Sequence, residues 1–174
     1  MGYKETHKKR FQISLEFFKK HIPEASSVLD LGVKNPLSDL LAAEGFKVEN
    51  TRGENLDDDF QAYLDPGVDV VTAFEIFEHM LAPYNILKEI KADKLVASVP
   101  LKLWFAEAFW IENDDFKKHY HEFEKKQFDF LLRRSGWIIK DARTWKSASW
   151  SKIGIRPLLR HFFPRYYIVY CERK

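Results

Sequence analysis

Residues that could do acid–base chemistry come directly after a short apolar stretch, residues 68–74. They are Glu75, Glu78 and His79. A carboxylate beside an imidazole is a pair that general-base catalysis commonly uses. The alternative is structural, with Glu78 as a helix cap and His79 packed against a neighbouring loop. We favour the structural interpretation, because the chemistry done by one fold varies while its scaffold persists.

Two more histidines, His119 and His121, are candidates for a base or for metal ligands. They lie two positions apart, a spacing that zinc sites on a strand or a loop can use. Such a site needs further ligands, and the only cysteine, Cys171, is distant in sequence. We therefore expect no metal site, and His79, His119 and His121 remain the candidate catalytic bases.

Three consecutive aspartates at residues 57–59 are a weaker candidate for a metal site. Consecutive carboxylates do not converge on one ion without a loop such as the calcium loop, whose ligands alternate. The triplet is instead typical of the acid-rich start of a helix.

The elements around Glu75 follow the pattern of a strand, a helix and a second strand. Residues 68–74 and 94–99 are short apolar runs, typical of strands that are buried on both faces. Between them, apolar residues recur at the three- and four-residue spacings of a helix with one buried face: Met80, Tyr84, Leu87 and Ile90. Parallel strands need such a crossover, and ligands bind beyond the carboxyl ends of the strands.

The first predicted strand, residues 26–32, is followed by a loop suited to a polar ligand. Asn35 can cap the next helix, residues 37–44, with Pro36 in its first position. A strand, a turn at Gly32 and a helix N-terminus together favour the anionic or polar end of a nucleotide-like ligand. Periodicity predicts further helices at 4–22 and 124–134, and further strands at 46–51, 137–142 and 166–171.

Several motifs, in this order, resemble the small class I S-adenosylmethionine-dependent methyltransferases. They are VLDLG at residues 28–32, EIFEHMLAPYNILKEI at 75–90, ASVP at 97–100 and HYHEFEKKQFDFLLRRSGW at 119–137. The last is similar to the H-x-x-x-F, helix and Gly-aromatic sequence that follows the fifth strand of the family. The resemblance implies an α/β, Rossmann-like methyltransferase fold: a mostly parallel sheet with helices on both faces and an antiparallel pair of last strands.

The resemblance also implies a cofactor, S-adenosylmethionine, and residues that would hold it. Asp30 and Gly32 would face its methionine end, Glu54 and Asn55 its adenosine end, and Glu75 the cleft. The reaction would be methyl transfer to a small or amphiphilic acceptor. The rival interpretations are a non-catalytic methyltransferase-like binding or scaffold domain, and a domain that binds a different nucleotide.

The chain departs from the family at three places. Residues 33–36 (VKNP) stand where the family has further glycines, and Arg52 stands where the family has an acidic residue for the ribose. Residues 52–67 are too few for the usual helix, strand and helix. We therefore expect a sheet that is about one strand shorter than in the family.

Two later segments could form the acceptor side of a cleft. Residues 101–116 are rich in aromatic side chains, which would suit a pocket wall, the packing of an insertion or a dimer surface. Residues 146–165 carry only basic ionisable groups, and we favour packing over ligand binding as their main role. If both segments lie on one side, they could bind an anionic amphiphile, with Arg156 or Arg160 as its partner.

The composition is that of a globular protein. With 174 residues and a net charge of +2, we expect one domain, residues 1–174, and no binding of nucleic acid. A single cysteine fits a reducing compartment. We recognise no signal peptide, and no apolar run approaches the roughly 20 residues that cross a bilayer. These features predict a cytoplasmic protein.

Overall fold

The computed structural model describes residues 2–147 and 154–174. Its strands are β1 (Ser27–Asp30), β2 (Lys47–Asn50), β3 (Val70–Phe74), β4 (Lys94–Pro100), β5 (Trp137–Trp145) and β6 (Tyr166–Arg173). They form one six-stranded sheet in the order β2-β1-β3-β4-β6-β5. The first four strands are parallel, and β6 is antiparallel to both β4 and β5. The predicted mostly parallel sheet with an antiparallel last pair is confirmed.

Helices cover both faces of this sheet, as predicted. They are α1 (Gly2–His21), α2 (Pro36–Ala43), α3 (Pro83–Glu89), α4 (Lys125–Arg134) and α5 (Ile155–Leu159). Side chains of β3 alternate between two buried clusters, since Val70 packs with α1 and α2 while Val71 packs with α3 and α4. The two layers hold the carboxyl ends of β1, β3 and β4 at one edge of the sheet.

The sheet lacks one strand beside β2, as the short spacing predicted. Between β2 and β3, the described residues 51–69 contain one 3₁₀ turn, Phe60–Tyr63, and no strand. Lys47 and Glu49 of β2 are exposed, which suits an edge strand.

Of the two predicted helix caps, Asn35 is confirmed and Glu78 is wrong. The Asn35 side-chain oxygen accepts hydrogen bonds from the backbone N–H groups of Leu37 and Ser38 at 2.9 and 3.2 Å. Glu78, in contrast, does not cap α3, which begins only at Pro83. The chain before α3 is bound by Asp57, whose carboxylate accepts from the N–H groups of residues 81 and 82 at 2.7 Å each.

One boundary prediction and one packing prediction were wrong in the C-terminal part. Strand β5 continues to Trp145, beyond the predicted end at residue 142. Residues 148–153 of the basic segment lie outside the described residues. In the described part that follows, Ile155, Leu158 and Phe162 are exposed, so the expectation that its apolar side packs inward does not hold there.

Candidate functional site

A cavity of about 540 Å³ opens at the carboxyl ends of β1, β3 and β4. Its walls come from α1, the loop after β1, the chain after β3, and the segments 101–116 and 146–165. The volume falls within the range of roughly 300–1,000 Å³ that small-molecule sites usually have. The position is the one at which parallel α/β sheets bind ligands. We therefore take this cavity as the candidate site.

Glu75 lies on the cavity wall at the end of β3. Its carboxylate accepts hydrogen bonds from Arg10 at 3.2 Å and from the Ser98 hydroxyl at 2.9 Å. Its backbone φ of +59° is in the left-handed region, which costs a non-glycine residue conformational energy. Burial raises the pKa of Glu75, and the Arg10 charge opposes that rise. The cleft position predicted for Glu75 agrees with this geometry.

Arg10 is a site residue that the sequence analysis missed. Its neighbours Lys8 and Lys9 on α1 are exposed, as basic residues on a helix usually are. The Arg10 side chain is only 18% exposed, lines the cavity and lies over the ring of Tyr166 at 5.6 Å. No sequence pattern distinguishes Arg10 from the neighbouring lysines, because its partner Glu75 lies 65 positions away.

Glu78 is a buried carboxylate with little compensation. Its side chain is 1% exposed, and its Oε2 has no hydrogen-bond partner within the described residues. Its Oε1 lies 3.9 Å from Nε2 of His79. Burial, followed by the charge of Glu75, holds the pKa of Glu78 well above its usual range.

Two of the three predicted histidine bases come together in the cavity. The rings of His79 and His119 lie 4.8 Å apart and nearly perpendicular, and both line the cavity. His121 lies outside the cavity, with Nε2 3.2 Å from the carbonyl oxygen of Leu81 and its ring stacked on Phe123. The expectation that His79 packs against a loop is also met, because its Nδ1 donates to the carbonyl of residue 118 at 3.0 Å.

The loop after β1 reaches the cavity, but Asp30 does not line it. Gly32 and Asn35 are among the lining residues. The buried Asp30 carboxylate accepts hydrogen bonds from four side chains: Asn35, Ser38, Asn50 and Thr72. Burial raises the pKa of Asp30, and these hydrogen bonds oppose the rise. Asp30 is therefore placed to hold the loop in position, while the direct contact expected from it is not seen.

The two residues predicted for the adenosine end, Glu54 and Asn55, also lie outside the cavity lining. Glu54 accepts hydrogen bonds from the Tyr63 hydroxyl at 2.6 Å and the Arg52 N–H at 2.8 Å. The Tyr63 hydrogen bond is the main cause of the lowered pKa of Glu54. Asn55 bonds to the backbone and side chain of residues 57 and 58, so its contacts are within its own loop.

The aromatic segment 101–116 and the basic segment 146–165 contact each other, and each contributes residues to the cavity lining. The Phe163 ring lies 6.3 Å from the Trp104 ring and 5.8 Å from the Phe105 ring. Phe109 and Arg160 line the cavity, while Arg156 is not among the described lining residues. The two segments therefore lie on one side of the sheet edge, which was the condition set for a shared acceptor site.

Comparisons of the sequence with protein-family models and with curated proteins gave no match. Comparison of the structure with solved structures did. A 1,6-didemethyltoxoflavin-N1-methyltransferase from Burkholderia thailandensis has a TM-score of 0.66 at 13% identity, over 94% of this chain and 78% of that one. It was solved with 1,6-didemethyltoxoflavin and S-adenosylhomocysteine bound.

Two further likenesses show how widely this fold is used. An S-adenosylmethionine-dependent methyltransferase from Archaeoglobus fulgidus has a TM-score of 0.65 at 14% identity, over 97% of this chain and 94% of that one. The cyclase SpnF has a TM-score of 0.55 at 13% identity, over 94% and 81%. No helix within the described residues is long and apolar enough to cross a membrane. The protein has the fold of the class I S-adenosylmethionine-dependent methyltransferases.

Proposed function

We propose that the protein is an S-adenosylmethionine-dependent methyltransferase that acts on a small or amphiphilic acceptor. The observation that carries the proposal is the cavity at the ends of β1, β3 and β4, lined by Gly32 and Glu75. Both residues lie in motifs that resemble the methyltransferase family, at the edge of the sheet where this fold binds ligands.

The residues at one side of the cavity fit the methionine end of the cofactor. That end carries an ammonium and a carboxylate group. Glu75 and Arg10 place opposite charges on the wall, where they can pair with those two groups. Gly32 and Asn35 bring the loop after β1 to the same wall.

In the loop after β2, the residue that we assign to the adenosine end of the cofactor differs from the one that the family uses. The Glu54 carboxylate is oriented by Tyr63 and by the Arg52 N–H, and a carboxylate has further lone pairs for ribose hydroxyls. A Cβ built on Gly53 would lie 3.0 Å from Cγ1 of Val33, so the two loops touch where the family has glycines. We therefore assign Glu54 to the ribose, in place of the family's acidic residue at the position of Arg52. Because Glu54 lies outside the cavity lining, this assignment requires the cofactor to extend past the cavity to the loop after β2.

The residues of the site can remove a proton from an acceptor. When bound, the cofactor supplies a sulfonium methyl group, and transfer depends mainly on holding the acceptor in line with it. His79 donates from Nδ1 to a backbone carbonyl, which leaves Nε2 as the basic atom. Burial lowers the pKa of His79, so the ring is neutral and able to accept a proton at neutral pH.

The mouth of the cavity favours an acceptor with an apolar body and a negative group. Phe109 lines the cavity, and the exposed Trp104, from the same segment, contacts Phe163. Arg160 and Arg165 line the same side, so they could bind an anionic group. Arg165 already contacts Glu122 at 3.4 Å, which leaves Arg160 as the stronger candidate.

A binding or scaffold domain is the second candidate, and one observation favours it. The polar groups predicted to contact the cofactor are largely engaged within the protein: Asp30 accepts four side-chain hydrogen bonds, and Glu75 is paired with Arg10. Such a pocket binds a ligand less tightly, because the contacts among its own polar groups must first be broken.

Calorimetric titration with S-adenosylmethionine and with S-adenosylhomocysteine separates the two candidates. The methyltransferase proposal predicts saturable binding of both at one site per chain, with a rise in the thermal midpoint. ATP serves as the control ligand, and Glu75→Gln is compared with Glu24→Gln, an exposed carboxylate. Glu75→Gln should weaken binding and Glu24→Gln should not. No binding of either compound at millimolar concentration would favour the scaffold domain, and tighter binding of ATP would indicate a different nucleotide.

A further inference from the structure

We propose that Glu78, His79 and His119 form a binding site for a divalent transition-metal ion at the base of the cavity. Each of the three side chains offers one ligand atom, and these atoms lie within 4.8 Å of one another. Zinc–nitrogen and zinc–oxygen bonds of about 2.0–2.2 Å place tetrahedral ligands about 3.4 Å apart. The Glu78 Oε1 and His79 Nε2 are 3.9 Å apart, close to that spacing.

Both histidines are held as metal ligands usually are. A metal-binding imidazole commonly donates its second ring N–H to a carbonyl or a carboxylate, which fixes the tautomer. Nδ1 of His79 lies 3.0 Å from the carbonyl oxygen of Lys118, and a carbonyl can only accept. Nδ1 of His119 lies 3.0 Å from the carboxylate of Glu122. Each Nε2 therefore keeps its lone pair for a cation.

The buried carboxylate of Glu78 independently favours a cation at this site. Its Oε2 is buried and has no hydrogen-bond partner within residues 2–147 and 154–174. Burying an ionised carboxylate without a partner is strongly unfavourable. The charges of Arg10 and Arg165 compensate it only in part, because Arg10 is bonded to Glu75 and Arg165 contacts Glu122. A bound cation removes this cost.

The ligand set indicates the class of metal. Two imidazoles and one carboxylate form the donor set of several catalytic zinc sites, and nitrogen ligands disfavour Mg²⁺ and Ca²⁺. Three protein ligands leave at least one coordination position open, on the side of the cavity. If the proposed methyl transfer is right, that position would take an oxygen of the acceptor and lower the pKa of its hydroxyl, and the metal would then replace His79 as the group that promotes loss of the proton. This last clause alone rests on the proposed function.

The site differs from the one that the sequence analysis rejected. Spacing along the chain pairs His119 with His121 and leaves Cys171 as the only thiol that could join them. In the structure His121 faces the carbonyl of Leu81, and the partners of His119 come from the 3₁₀ turn Phe77–His79 instead.

Titration of the chelator-treated protein with metal alone tests the proposal. We expect one Zn²⁺ per chain with micromolar or tighter affinity, weaker binding of Mn²⁺ and none of Mg²⁺ at the same concentration. Glu78→Gln and His119→Ala should each lower the zinc affinity at least about tenfold, as loss of a ligand costs no less than loss of a supporting group. His121→Ala is the matched control and should bind like the wild type.

The visible absorption of bound Co²⁺ adds a readout that a purely structural role would not change. The spectrum should indicate nitrogen and oxygen ligands in the wild type and in His121→Ala, and should be lost in Glu78→Gln. If His119→Ala does not fold, the zinc affinities of Glu78→Gln and His79→Asn test the proposal instead. No stoichiometric binding by the wild type, or undiminished binding by Glu78→Gln and His79→Asn, would overturn the proposal. Binding of S-adenosylhomocysteine is measured with chelator present, so the two proposals can fail separately.

Discussion

Replacing most buried residues destabilises a protein, but we expect the opposite for the buried carboxylate of Glu78. Replacing Glu78 by Gln should stabilise the metal-free protein at alkaline pH. The side chain is 1% exposed and one of its oxygens has no partner among the described residues. Gln keeps the shape of the side chain and removes the charge, so the desolvation cost of the ionised form is lost with it.

The magnitude follows from the cost of one unsatisfied buried group. That cost is about 1–3 kcal/mol, and a protein of this size gains roughly 2–4 °C in thermal midpoint per kcal/mol, so we expect a rise of about 2–12 °C. The pKa of Glu78 is raised in the folded state above its ordinary value of 4.5. The folded protein therefore binds the proton more tightly than the unfolded chain, and stability falls as pH rises from about 4.5 through the folded pKa.

Thermal unfolding in chelator at pH 5, 7 and 8.5 is the assay. The advantage of Glu78→Gln over the wild type should be small at the lowest pH and should grow as pH rises. Part of the pH dependence should remain, because burial also raises the pKa of Glu75. Glu24→Gln is the control and should follow the wild type. A Glu78→Gln variant that is less stable than the wild type at pH 8.5, or equally shifted at every pH, would refute the reasoning.

Three further predictions concern other parts of the site. Asp30→Ala should cost roughly 3 kcal/mol or more in urea unfolding, because four side chains lose their acceptor; a loss below about 1 kcal/mol would contradict this. Gly32→Val should weaken S-adenosylhomocysteine binding at least tenfold in calorimetry while the protein stays folded, since the new Cβ meets only the flexible end of Ile76 at 3.0 Å; unchanged affinity would remove Gly32 from the site. Arg160→Gln should reduce binding to anionic detergent micelles more than Arg156→Gln does, and equal effects would show that the cavity position of Arg160 is irrelevant.

The sheet and most of its helices could be predicted because their signals are local. Short apolar runs and three- and four-residue periodicities depend only on neighbouring positions. The absence of one strand could also be predicted, since residues 52–67 are too few to form the usual helix, strand and helix. The cap formed by Asn35 follows the same logic, because its partners lie two and three positions away.

The contacts of the site could not be predicted, because they join residues distant in sequence. Arg10 reaches Glu75 across 65 positions, and His79 meets the carbonyl of Lys118 across 39. The wrong role for Glu78 has the same origin: its position before a helix suggested a cap, whereas Asp57 binds the chain there from 24 positions away. Spacing along the chain grouped His119 with His121, and folding paired His119 with His79 instead.

The central claim is that the cavity at the ends of β1, β3 and β4 binds S-adenosylmethionine. A crystal structure with S-adenosylhomocysteine tests it most directly. We expect the methionine end of the ligand beside Gly32, with its ammonium and carboxylate at Glu75 and Arg10, and its sulfur directed toward His79 and Phe109. Ligand density at another surface, or an empty cavity in crystals grown at saturating ligand, would contradict the account.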